Sequence, residues 1–100
     1  MSETIINNTT DHRFELVVDG HTAFIGYRTE TAKDDARPIY VFEHTEVPPV
    51  LGGRGVGSRL AEGALEAVRE ANGRVRSECS FITAILKKQH DRYADIIAGA

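Results

Sequence analysis

The chain predicts a small mixed α/β (α+β) domain, and three features predict it. Two alternating apolar segments flank Asp19-Gly20, a run rich in β-branched and aromatic residues spans 39–47, and an apolar repeat of helical spacing follows a glycine-rich turn. In the first segment Phe14, Leu16 and Val18 alternate with Arg13, Glu15 and Val17, and Ala23, Ile25 and Tyr27 resume the pattern after the turn. Strands are therefore expected at about 13–18 and 21–28, joined as a hairpin, with a short earlier strand near Ile5 and Ile6. Thr29 to Arg37, with Asp34-Asp35 in its middle, reads as a solvated loop. A further strand then runs from Ile39 to Val47 and must end at Pro48-Pro49. Val56, Leu60, Ala64, Val68 and Ala71 recur on one side of a helix over 57–71, and Asn72-Gly73 supplies its left-handed cap. Arg74 to Glu78 reads as a short strand. Ser80 to Gln89 reads as a second helix with Ser80 as its N-cap, and the tail from His90 to Ala100 as a closing turn over the core.

Composition narrows the class of function. One hundred residues with 41% hydrophobic content support one domain, 1–100, with one small core. A formal charge of -3 leaves no basic footprint for nucleic acid. The one cysteine excludes an internal disulfide. No basic-then-apolar leader is visible, and no run approaches the roughly 20 apolar residues of a membrane span. A cytoplasmic protein is the expectation. His12, His21 and His90 are scattered without ligand spacing, so no metal site is expected.

Gly52-Gly53-Arg54-Gly55-Val56-Gly57-Ser58 lies where an apolar run feeds the first helix. Glycines let a ligand approach the backbone, and a helix start offers unpaired N–H groups at the positive end of its dipole, so the stretch reads as a phosphate cradle. A nucleoside-triphosphatase loop is rejected, because no Lys follows these glycines. Gly53, Gly55 and Ser58, with Glu78 about 20 residues on, are a degenerate match to a dinucleotide fingerprint, but that motif belongs to a larger parallel sheet. A purely structural turn is the remaining alternative. Cys79 follows the next strand, beside a helix start whose dipole favours the thiolate; its plain reading is a small buried apolar residue.

The stretch from Gly52 to Gly57 resembles the coenzyme A pyrophosphate loop of the GNAT superfamily of N-acetyltransferases, whose pattern is Gln/Arg-x-x-Gly-x-Gly/Ala at a strand-to-helix junction. His44-Thr45-Glu46-Val47-Pro48-Pro49, the loop, and Cys79-Ser80-Phe81 together resemble a subfamily of very small GNAT-like proteins. Phe14-Glu15-Leu16, Asp19-Gly20 and Ala23-Phe24-Ile25 match its opening hairpin. The resemblance implies a mostly antiparallel sheet with a central splay and two main helices. It also implies acetyl-CoA as co-substrate, with Val47, Gly52, Gly53, Arg54, Gly55, Val56, Gly57, Ser58 and Arg59 as its binding residues. The chain departs from the family at Gly52, where the pattern has Gln or Arg, and at 80–89, where many members carry a tyrosine acid.

Acyl transfer needs a nucleophile, a base and donors for the developing oxyanion. Either an amine attacks the thioester directly, with Glu46, His44 or water taking its proton, or Cys79 attacks first and passes the acetyl group on. His44 has a plainer reading as a histidine bonded within the sheet. The acceptor is an unidentified amine. A non-catalytic acyl-CoA binding or sensing module, or a subunit completed by a protein partner, would need the same loop.

Overall fold

The computed structural model describes residues 4–33 and 35–98; Asp34, residues 1–3 and residues 99–100 lie outside it. Five strands form one sheet in sequence order: β1 (Ile5–Asn8), β2 (Arg13–Val18), β3 (His21–Ala32), β4 (Asp35–Glu46) and β5 (Arg74–Ser77). β1 to β4 pair antiparallel, and β5 pairs parallel to β4. Between β4 and β5 the chain makes a 3-10 turn (Pro49–Leu51) and helix α1 (Val56–Glu70); α2 (Ser80–Lys88) and α3 (His90–Tyr93) follow β5. The fold is the expected α+β arrangement with a mostly antiparallel sheet.

Period-two alternation and helical periodicity meet in one core. Phe14 and Leu16 of β2, Ala23 and Ile25 of β3 and Phe42 of β4 turn one sheet face toward Val56, Leu60, Ala61, Ala64, Leu65 and Val68 of α1. Ile82, Leu86, Tyr93 and Ile96 join the same cluster, so the helices and the tail as far as Ile96 share one side of the sheet, while Ala98 is buried with Ile39 and Val41 on the other. The tail also guards an edge: Val75 N–H donates to Ile96, and Ala98 N–H donates to Val75, so the far side of β5 is paired. Asp19 and Gly20 both take positive φ (51° and 76°), as a two-residue hairpin turn requires. Asn72 (φ 58°) makes the left-handed cap of α1; Gly73 is there for room, since a Cβ would lie 2.7 Å from the Tyr40 ring.

The stretch Thr29 to Arg37 is not a loop. β3 continues to Ala32 and β4 begins at Asp35, so only two residues lie between them. Its charged residues serve the opposite, helix-free sheet face. Arg28 pairs with Glu30, Glu43 and Glu78, and Arg76 with Glu30. These side chains flank Val41, which is wholly buried although it points away from the helices. Polarity here marks a strand face exposed to water, a pattern that composition alone does not separate from a loop.

β1 and α1 touch closely at one point. A Cβ on Gly63 would lie 2.2 Å from Ile5 Cγ1, so the helix accepts the edge strand only because the glycine is bare. Gly63→Val is therefore expected to lower stability by about 1–3 kcal/mol through overpacking. Ile5→Ala in the same chain should recover part of that loss. A denaturation midpoint unchanged by Gly63→Val would show that β1 can be displaced without cost.

Candidate active site

The glycine turn is built by what precedes it. Pro48 and Pro49 cannot continue the β4 ladder, and the chain turns through Pro49–Leu51, with Leu51 buried as its anchor. Gly52 N–H then donates to Pro49 at 2.9 Å. Gly52 has ordinary φ (−59°), whereas Gly53 and Gly55 are left-handed at 77° and 69°. Gly55 is the N-cap of α1, no side chain caps the helix, and no acid sits in its first turn. The first intrahelical bond runs from Arg59 N–H to Gly55 at 3.1 Å, which leaves the amides of Val56, Gly57 and Ser58 at the helix mouth without helical partners. Free backbone donors at the positive end of a helix dipole are the arrangement to which anions generally bind.

The two arginines of the turn have structural duties. Arg54 donates to Asp19 at 2.8 Å, tying the loop to the β2–β3 hairpin, and Arg59 donates to the Arg54 carbonyl at 2.7 Å. Gly57 brings the helix start against its neighbours: a Cβ there would meet Phe81 Cζ at 3.2 Å and Val47 Cγ2 at 3.6 Å. The loop, the end of β4 and the start of α2 thus meet at one place.

Cys79 is itself the N-cap of α2, one residue earlier than expected, with extended backbone at φ −108° and ψ 125°. Ser77 holds that geometry. Its hydroxyl donates to the Cys79 carbonyl (2.8 Å) and accepts from Cys79 N–H (3.2 Å) and the Thr83 hydroxyl (2.9 Å). The thiol is half-buried, with Sγ 3.6 Å from Thr45 Oγ1 on β4. Burial alone pushes the thiol up, but the Ile82 amide, the Thr45 hydroxyl and the Phe81 amide together outweigh it and leave it below its ordinary value. Neither amide closes a capping hydrogen bond to sulfur; they act as dipoles on the anion.

A β-bulge sets which residues of β4 reach this place. Tyr27 pairs with Phe42 but Gly26 pairs with His44, so Glu43 is the extra residue. Thr45 consequently returns to the helix side opposite Ile25, while His44 lies on the open face, edge-on to Phe24 at 5.7 Å. Beyond Phe42 the last link between β4 and β5 is Glu78 N–H to Phe42 O at 2.8 Å, and the strands then part. Cys79 and Thr45 face each other across that slot. His44 and Glu46 are exposed, and adjacent-residue alternation sets both on the other side of β4 from Thr45.

Sequence reasoning singled out the loop, Cys79, His44 and Glu46 but passed over Thr45, Ser77 and Asp19. Thr45 has no signal without the bulge, since uninterrupted alternation would turn it to the open face. Ser77, two residues before Cys79, carried a readable signal as a side chain able to bond a helix start. Among the described residues no cluster of His, Cys, Asp or Glu could hold a metal, and no helix is long and apolar enough to cross a membrane.

The fold places a glycine turn and an uncapped helix start beside a parting strand pair, and comparison with known proteins gives the family. The family described as GCN5-related N-acetyltransferase matches residues 13–96. The NMR solution structure of a candidate GCN5-like N-acetyltransferase from Staphylococcus aureus is similar, with 31% identity and a TM-score of 0.65 over 96% of this chain and 88% of that one. No curated protein matches. The chain belongs to the GCN5-related N-acetyltransferase family.

Two measurements probe the site directly. Iodoacetamide labelling of Cys79 across pH should show a midpoint below the ordinary thiol value of about 8.5. Thr45→Val should move that midpoint upward, and a midpoint at or above the ordinary value in the native chain would contradict the environment described. At the loop, Gly55→Val puts a β-branched side chain at φ 69° beside the helix mouth. It should weaken coenzyme A binding about tenfold or more, ~1.4 kcal/mol, whereas Arg54→Ala should act more mildly. Calorimetry on the folded variants decides, and undiminished affinity in Gly55→Val would remove the loop from the binding site.

Proposed function

We propose that the chain, as one catalytic unit, transfers acetyl from acetyl-CoA to an amine, with Cys79 as the intermediate acyl carrier. The observation that carries this reading is the slot in which Cys79 and Thr45 stand 3.6 Å apart, next to a helix start without a side-chain cap. The residues fit coenzyme A. Val56, Gly57 and Ser58 would offer amides to the pyrophosphate, bare Gly53 and Gly55 would let it approach, and the unpaired end of β4 near Val47 would run beside the pantetheine arm. Acetyl-CoA supplies an activated acetyl group. The depressed thiol supplies the nucleophile, with the Thr45 hydroxyl and the Ile82 and Phe81 amides stabilising its anion.

Glycine at 52 places no charged side chain at the loop start, and Arg54 is engaged by Asp19, so affinity would rest mainly on backbone donors. His44 or Glu46 would take the acceptor's proton from the open face. A reducing compartment such as the cytoplasm suits a chain whose nucleophile must stay a free thiol. Direct attack by the amine on the bound thioester, without Cys79, is the competing chemistry, and a coenzyme A sensor without turnover is the competing class.

Intact mass after incubation with acetyl-CoA separates them. The native chain should gain one acetyl group, and Cys79→Ala should gain none while binding coenzyme A normally. Binding without a mass gain, together with turnover retained by Cys79→Ala, would establish direct transfer. Binding with neither would establish the sensor.

A further inference from the structure

The thiol stands at a helix position that its own side chain fills poorly. Cys79 is the N-cap of α2, a place that Ser, Thr, Asp and Asn usually take because their oxygen accepts from the amides of the first turn. Sulfur is a weak acceptor, and the Cys79 side chain closes no capping hydrogen bond. The backbone is nevertheless extended as a cap requires, at φ −108° and ψ 125°. Ser77 supplies the missing grip. Its hydroxyl donates to the Cys79 carbonyl at 2.8 Å and accepts from the Cys79 N–H at 3.2 Å, so one side chain holds both polar groups of the cysteine backbone. The Thr83 hydroxyl donates to the same Ser77 oxygen at 2.9 Å, and the Thr83 N–H donates to the Cys79 carbonyl at 2.9 Å. One hydrogen given and two accepted use the whole capacity of the Ser77 hydroxyl. It has none left for moving a proton. Ser77 is also the last residue of β5, opposite Phe42 of β4, so the grip is anchored in the sheet.

We propose that Ser77, oriented by Thr83, is the positioning residue that seats the Cys79 sulfur over the first amides of α2 for acyl transfer. The inference rests on the acetyl-transfer reading and deepens it by naming what sets the reactivity of the thiol. With the Cys79 backbone held in the cap conformation, Sγ stands 3.6 Å from Thr45 Oγ1 and in the field of the Ile82 and Phe81 amides, which favour the anion. In the first step the thiolate bonds to the acetyl carbonyl carbon, the carbon–sulfur bond of acetyl-CoA breaks, and its electron pair leaves on the coenzyme A sulfur. In the second the amine nitrogen bonds to that carbon, the pair returns to Sγ, and the amine's proton goes to the base. The seat serves both steps, because a stabilised thiolate is present at lower pH and also leaves more readily. The same stabilisation lowers intrinsic nucleophilicity, with a slope of ~0.4–0.5 per pKa unit in thiolate attack on disulfides.

Single-turnover acetylation of the chain by acetyl-CoA, followed by intact mass across pH, tests the seat. Ser77→Ala should move the midpoint of the profile upward by about one pH unit. Acetylation then slows about threefold below the native midpoint and quickens about threefold above the variant's, so the two profiles cross. A thiol that is merely misplaced reacts more slowly at every pH. Ser77→Thr, which keeps the hydroxyl, should restore the native profile, and Thr83→Val, which removes one of the three bonds, should shift it in the same direction by less. Coenzyme A affinity should be unchanged in all three variants. Coincident profiles for the native chain and Ser77→Ala, or a uniform slowing without a crossing, overturn the proposal; where Ser77→Ala does not fold, the same outcomes in Thr83→Val decide it. A native chain that takes up no acetyl group overturns the acetyl-transfer reading instead. Iodoacetamide labelling, whose midpoint should still rise in Ser77→Ala, separates that failure from failure of the seat.

Discussion

The placement of every group at the slot depends on the point where β4 stops pairing with β5. The two strands hold a parallel register from Ile39–Arg74 to Phe42–Ser77, and one residue later β4 carries a bulge at Glu43. An inserted residue shifts the alternation by one, so it exchanges the faces of all that follow. Thr45 turns to the helices and meets Cys79, and His44 turns to the open face. The bend that accompanies a bulge also gives β4 a course that β5 does not follow. Slot and side-chain placement therefore have one cause.

Several weak contacts hold that geometry. Arg28 reaches Glu78 with two hydrogen bonds of 2.8 and 2.9 Å, spanning β4 from β3 to the end of β5, and a third bond of 3.0 Å holds the bulged Glu43. Each side chain is more than a third exposed, so single pairs contribute little to stability. Their importance is geometric, because they fix the separation of the strands on the open side. On the helix side Ser77 fixes the turn into α2, and the bare Gly57 lets α1 lie close to Phe81. Rigid surroundings suit a site whose reacting groups must be in place before the ligand arrives.

Much of this was legible in the sequence. Phe14-x-Leu16-x-Val18 and its mirror across Asp19-Gly20 carry the hairpin, and the repeat from Val56 to Val68 carries the helix, because burial on one side imposes its period directly on residue type. The glycine turn was legible because positive φ at Gly53 and Gly55 is nearly confined to glycine. Thr29 to Arg37 was misread because Arg28 and Glu30 satisfy each other and their neighbours on a solvated strand face, where hydrophobic alternation has no reason to appear. The bulge left no local mark, since it is a register shift of β4 against β3 that the residue types at 42–45 do not encode. Thr45 could not be assigned to Cys79, nor His44 to Gly26, without it.

Separating the two sides of β4 also sets how each face of the sheet is covered. A buried acceptor pocket needs walls, and a core of this size has few residues to spare for them. Here one sheet face is covered by the helices, and on the other Ile39 and Val41 are buried with Ala98 of the tail, beside the Arg13–Phe24–His44 stack. That second face needs no helical layer, because Ala98 of the tail and Ala32 already pack against Ile39 and Val41. It is thus left open to solvent, while the thiol is half-buried on the far side of the strand. In such an arrangement one strand keeps the half-buried thiol and the exposed His44 on opposite faces.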